Sequence, residues 1–135
     1  MSVLLSVSVL ILQTGSVPGP ATLEPRPALE CAEHVTDARA RQNCLRDLLR
    51  TSESELTSAR EWAASEAADV DLMHPGAGRA QSALEAAQTA WGAYRDAECA
   101  RQASLMLMDE GTQDEIRMDC QIALNRDRIA ELRNH

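Results

Sequence analysis

The stretch "LEAAQTAWGAYRDAEC", residues 84–99, decides how this chain is read. Two of the three aromatics of the whole sequence, Trp91 and Tyr94, fall within it beside Arg95 and Cys99. Gln88, Trp91, Arg95 and Cys99 follow one another at steps of three, four and four, so on an α-helix they share a face, with Tyr94 beside Trp91. Trp and Tyr are the largest apolar side chains this chain possesses, and aromatics at helical spacing are most often core. Gln88, Trp91, Tyr94 and Arg95 are therefore expected to form the hub of a scaffold. The planar guanidinium of Arg95 is expected to hold a carboxylate or carbonyl of a neighbouring helix.

Working outward, the segments on either side are also helical. Ala, Leu, Glu, Gln and Arg dominate, and period-two alternation of β-branched residues is missing. A first helix is expected from Thr36 as N-cap, with Leu45, Leu48, Leu49, Leu56, Ala59, Ala63 and Val70 as a thin apolar stripe that Ser52 interrupts. "DLMHPGAG", residues 71–78, breaks it, because Pro75 cannot continue a helix and Gly76 and Gly78 loosen the backbone. A second helix runs from about Arg79 to Met108, with Leu84, Ala87, Trp91, Tyr94 and Leu105 on or near one face. Thr112 and Glu115 form a capping-box pattern that opens a third helix, striped by Met118, Ile122, Ile129 and Leu132. The expected fold is all-α: a small antiparallel three-helix to four-helix bundle.

The chain has 135 residues, enough for one domain and one core. Its N-terminus, "MSVLLSVSVLILQTGSVPGPA", has an apolar run too short to span a membrane, then a Gly/Pro break and small residues. Residues 1–21 are read as a secretory signal peptide, residues 22–30 as an extended lead-in and residues 31–135 as the helical domain. No stable membrane insertion is expected after cleavage. In an exported chain the even set Cys31, Cys44, Cys99 and Cys120 argues for disulfides. The competing metal reading, Cys31, His34 and Cys44 with a distant fourth ligand, lacks the second close ligand pair that zinc sites show. Cys99 and Cys120 lie almost equally far from the Asp109–Gly111 turn, so an antiparallel hairpin brings them level. A chain folding back over the first helical turn brings Cys31 to Cys44. Two disulfides, 31–44 and 99–120, are thus expected to staple the bundle, each contributing about 3 kcal/mol.

Charge and missing motifs exclude several functions. The basic residues are all Arg and the formal charge is −8, which repels nucleic acid and anionic lipid and favours a basic protein as partner. The sequence contains no G-x-S-x-G, P-loop, G-x-G-x-x-G or H-E-x-x-H. His34, His74 and His135 are scattered, and the carboxylates mostly alternate with Arg as on solvated helical faces. No catalytic set, cofactor or metal is expected, and the chain is not read as an enzyme.

"AQTAWGAYRDAEC" resembles the signature of the LprI-like lysozyme inhibitor domain family, whose hallmark is Q-x-x-W-x-x-Y-R-x-x-x-C. "CAEHVTDARARQNC" looks like that family's opening cysteine pair, and "MDCQIALNRDRIAEL" like its closing Cys and helix. The resemblance covers about residues 31–133. The family's D-x-x-L-N-x-x-Y element after the second Cys is replaced here by "LRDLLRTSESELTSA", so Leu56 or Trp62 is expected to take over the packing of the lost aromatic. The resemblance implies a disulfide-stapled, all-α domain, periplasmic or secreted from a bacterium, that blocks a lysozyme. It transfers no inhibitory residues, because the shared motif looks like scaffold. The exposed connector Met73, His74, Pro75 and Gly76 is the expected binding loop, with His74 able to hydrogen-bond a catalytic carboxylate. The other expectation is a cell-envelope interaction module without lysozyme activity.

Overall fold

The computed structural model describes residues 26–134, so the signal-peptide expectation for residues 1–21 lies outside the described residues. It contains α1 (Pro27–Glu30), a 3-10 turn (Ala32–His34), α2 (Ala38–Met73), α3 (Ala80–Ser104) and α4 (Glu110–Arg133). Among the described residues there is no strand, and no helix is long and apolar enough to cross a membrane. Residues 27–30 were expected to be extended; they form a helical turn, with Pro27 at the helix start, where its fixed φ is favourable, and buried.

The bundle runs up, down, up. Arg41 of α2 meets Glu115 of α4 and Ser52 meets Asn125, so those two helices are parallel. Arg95 of α3 meets Asn125, and Cys99 meets Cys120, which makes α3 antiparallel to α4. Leu56 and Ala59 lie level with Ile129 and Leu132 near the end of α4. The last turns of α2 therefore continue past α4, roughly 20 Å at 1.5 Å per residue, paired with the start of α3 alone. This two-helix arm ends in the turn at residues 74–79.

The helix ends differ from the sequence reading by a few residues, each for an identifiable reason. Asp37, not Thr36, caps α2, accepting a hydrogen bond from Ala40 N at 3.0 Å. α2 reaches Met73, because Pro75 excludes only its own position and disfavours helical backbone at His74. Asp109 caps α4: Thr112 donates both its N–H, at 3.1 Å, and its hydroxyl, at 2.9 Å, to that carboxylate. Thr112 is thus the partner of a cap and not the cap itself, and Glu115 is engaged by Arg41 instead. α3 stops at Ser104 and not at Met108. The side chains from Leu105 to Met108 are all exposed, Leu107 fully.

Two apolar clusters make the core. Cys31, Leu45 and Ile122 form one, flanked by Cys44, Leu48, Leu49 and Met118. Leu56, Ala59, Ile129 and Leu132 form the other, flanked by Ala63, Leu84 and Trp91. Leu56 is buried in the second cluster, while Trp62 stays 43% exposed. Val70, Ala87, Tyr94 and Leu105, expected on packing faces, are exposed. The face of α3 that packs carries Leu84, Gln88, Trp91, Arg95, Cys99 and Ala103, at steps of four, three, four, four and four, which leaves Tyr94 to one side.

Both expected disulfides are present, Cys31–Cys44 and Cys99–Cys120, with Cα separations of 5.9 and 5.5 Å. The first ties the short N-terminal turns to α2, and the second closes the α3–α4 hairpin.

Candidate functional site

The motif of residues 88–99 sits at the boundary between the two apolar clusters. Arg95 lies over the Trp91 ring, 5.4 Å from its centroid, and donates to the side-chain oxygen of Asn125 at 3.0 Å. Asn125 is fully buried and donates to Ser52 Oγ at 3.0 Å; Ser52 in turn donates to the Leu49 carbonyl at 2.9 Å. One polar layer therefore crosses all three long helices between the clusters. Asp96, exposed, accepts from the far side of the same guanidinium. Gln88 is buried and accepts from Arg128 at 3.4 Å, while its amide nitrogen has no protein partner. The contacts to Asn125 and Arg128 join α3 to α4.

Ser52 and Asn125 were not recognised from sequence as a pair. The signal was present: Ser52 lies midway between Leu45 and Ala59, and Asn125 stands between Ile122 and Ile129 at three-four spacing. Both are core positions of a seven-residue pattern filled by a polar residue. What looked like an interruption in the stripe is a matched buried contact.

Further interhelix ties surround the layer. Asp119, nearly buried, accepts from Arg26 and from Ala28 N, both at 2.7 Å, which docks α1 on α4. Arg126 pairs with Glu30 across the same interface. Arg41 grips Glu115 with two N–H bonds of 2.7 and 3.0 Å.

The connector expected to bind a partner is built as a stiff turn at the arm's tip. Asp71 of α2 accepts from Ala80 N at 2.8 Å and from Gln81 N at 3.1 Å, so one helix caps the next. Gly78 permits this closeness, since a Cβ there would lie 2.5 Å from Asp71 Oδ1 and 2.8 Å from its Cα. Gly76 takes φ +88°, in the left-handed region. Met73, His74, Pro75 and Gly76 are all exposed, Met73 as the last residue of α2. Among the described residues none forms an ion pair or side-chain hydrogen bond with His74.

At the opposite end, between α3 and α4, Leu105, Met106, Leu107 and Met108 are exposed by 65, 47, 101 and 58%. Sequence reading placed these residues inside α3 and so missed a run of four consecutive apolar side chains facing water.

Among the described residues no group of three His, Cys, Asp or Glu side chains is arranged to hold a metal ion. All four cysteines are oxidised, so no thiolate is available. The depression lined by Asp47, Arg50, Thr51, Ser54 and Glu55 follows a single helix face and encloses nothing. Two carboxyl groups are held below their ordinary range: Glu98 at about 2, by hydrogen bonds from Arg101 and then Gln102, and Asp109, by its bonds from Thr112. Both bond groups of their own helix, Glu98 within α3 and Asp109 as the cap of α4.

No curated protein and no solved structure gives a significant match to the chain. The family model described as "Lysozyme inhibitor LprI" matches residues 30–132, a span that contains both disulfides, the polar layer and both exposed turns. With nearly the whole described fold inside that match, the chain belongs to the LprI lysozyme inhibitor family.

Proposed function

We infer that this protein is an exported inhibitor that binds a basic cell-wall hydrolase of the lysozyme type and blocks it. The match to the inhibitor family over residues 30–132 carries the reading. Two further features support it. Four oxidised cysteines suit a periplasmic or secreted location, and the leader-like residues 1–21 supply a route there. A charge of −8 attracts a basic enzyme over long range and speeds the encounter. Inhibition is then steric: a rigid body occupies the saccharide cleft and keeps substrate from the catalytic carboxylates. The protein performs no reaction and needs no cofactor.

The test is clearance of a cell-wall suspension by a basic animal lysozyme, with purified oxidised protein added at rising ratios. Lysis slows with dose, and the inhibition weakens as ionic strength rises through the range where the screening length falls below about 10 Å. A lysis rate indifferent to a large molar excess refutes the reading and leaves a cell-envelope interaction module as the alternative.

A further inference from the structure

The turn between α3 and α4 is held without the side chains of residues 105–108. Leu105 N donates to the Gln102 carbonyl and Met106 N to that of Ala103, at 3.3 and 3.2 Å. Gln113 reaches back and donates to the carbonyls of Met106 and Met108, at 3.1 and 3.3 Å. Asp109 caps α4 immediately afterwards, and the Cys99–Cys120 bridge closes the hairpin behind it. None of these bonds uses the side chains of residues 105–108. The fold therefore has no need of Leu, Met, Leu and Met there, and holding four such groups in water is unfavourable.

A contiguous exposed apolar run on a soluble body marks an interaction surface. The apolar residues at the tip of the arm differ in this respect. Val70, Leu72 and Met73 are exposed, but helical geometry spreads them around α2, and Asp71 between them is turned into the cap. Among the described residues, the α3–α4 turn is the one place where four consecutive large apolar side chains are exposed. Of the acids that follow it, Asp109 caps α4, Asp114 pairs with Arg117 and Glu115 pairs with Arg41, and no Arg lies between Gln102 and Ile116 in the sequence. Among the described residues Glu110 enters no ion pair.

We propose that this apolar knuckle, Leu105–Met108 with Asp109 and Glu110 on its flank, is the part of the molecule that enters the saccharide cleft of the basic hydrolase. The proposal rests on the inhibitor reading above. The occupant follows from chemistry: an apolar tip flanked by Glu110, on a body of charge −8, suits an apolar seat in a basic enzyme. The cleft of a lysozyme-type enzyme, whose acid is kept protonated against apolar surface, provides that seat. Met side chains suit such a contact because they adapt to an irregular surface without strain.

The experiment compares the oxidised full chain with Leu107→Ser, the double variant Leu105→Ser/Leu107→Ser and His74→Ala, in the same lysozyme clearance assay. Leu107 is fully exposed, so its variant folds as the parent does, which circular dichroism and denaturant midpoint verify. The double variant inhibits at least about tenfold more weakly, as expected for losing two buried aliphatic anchors. Wild-type-like inhibition by the double variant overturns the proposal while leaving the inhibitor reading intact. Loss of inhibition in His74→Ala with the knuckle variants unaffected moves the contact to the arm, and also overturns it. If the parent protein inhibits nothing, both the reading and the proposal fall. Flotation with phosphatidylcholine vesicles and sedimentation of the free protein check two other occupants. Vesicle binding or self-association that the serines abolish, with inhibition unchanged, assigns the knuckle to lipid or to a second copy and not to the enzyme.

Discussion

Replacing Asn125 by Ala tests the polar layer most severely. Asn125 is fully buried and makes two side-chain hydrogen bonds, one from the charged Arg95 and one to neutral Ser52. A bond to a charged group contributes about 1.5–3 kcal/mol and a neutral one about 1 kcal/mol, so the loss is about 3 kcal/mol, with a small cavity adding to it. After the change Ser52 still donates to Leu49, and Arg95 keeps Asp96 and the Trp91 ring. What disappears is, among the described residues, the guanidinium's one acceptor on another helix. In a domain of this size about 3 kcal/mol is a large fraction of total stability. The assay is urea unfolding of the oxidised protein, with the midpoint falling at constant slope. Replacing both neutral partners by apolar residues, Ser52→Ala with Asn125→Leu, merges the two apolar clusters and recovers most of the loss, provided Arg95 swings out to Asp96. A cost below about 1 kcal/mol for Asn125→Ala contradicts the claim that this layer joins the three helices.

Three other outcomes follow from named contacts. Replacing Cys99 and Cys120 together by Ser releases a 21-residue closure, and stability drops by about 3 kcal/mol in the oxidised protein; a denaturation midpoint unmoved by the change would show that the hairpin holds without its bridge. Asp71→Ala removes the acceptor for Ala80 N and Gln81 N and costs about 1 kcal/mol; Gly78→Ala pushes against the same carboxylate and backbone. Because the two act on one cap, their combination costs less than the sum, which a double-mutant cycle in urea measures. Glu98 titrates near 2 and Asp109 below its ordinary range, so both are depressed in the fold. Their stabilisation is complete above the ordinary carboxylate range and is lost as pH falls from about 4.5 toward 2. Glu98→Gln flattens that part of the stability profile slightly, and by less in high salt, because the Glu98–Arg101 pair is exposed to solvent. An unaltered acid limb would remove Glu98 from the account.

Much of the scaffold was legible because it follows from spacing. Cys99 and Cys120 are equidistant from a turn, and the three-four steps of Gln88, Trp91, Arg95 and Cys99 define a face. These are properties of a helix whatever its neighbours. Tyr94 was misplaced because one residue of rotation, 100°, separates a packing face from water, and composition cannot say which neighbour lies there. Ser52 looked like a defect in its stripe because its partner is 73 residues away on α4. The knuckle was hidden by propensity: Leu and Met favour helix, and only the caps at Asp109 and the missing third layer show that residues 105–108 leave it. The arm's overhang depends on comparing the lengths of three helices in register, which requires the interhelix contacts themselves. The exposed connector at residues 73–76 was identified by Pro and Gly alone, with no hint that Asp71 stiffens it from below.

The account joins a disulfide-held body to the blocking of a basic hydrolase, and one comparison addresses both parts. The inhibition constant toward a basic animal lysozyme is measured at a single low ionic strength for oxidised protein and for protein reduced and alkylated at all four cysteines. The oxidised form inhibits and the alkylated form loses most of its potency, because the loosened bundle no longer presents a rigid surface. No inhibition by the fully oxidised form, or equal inhibition by both, contradicts it.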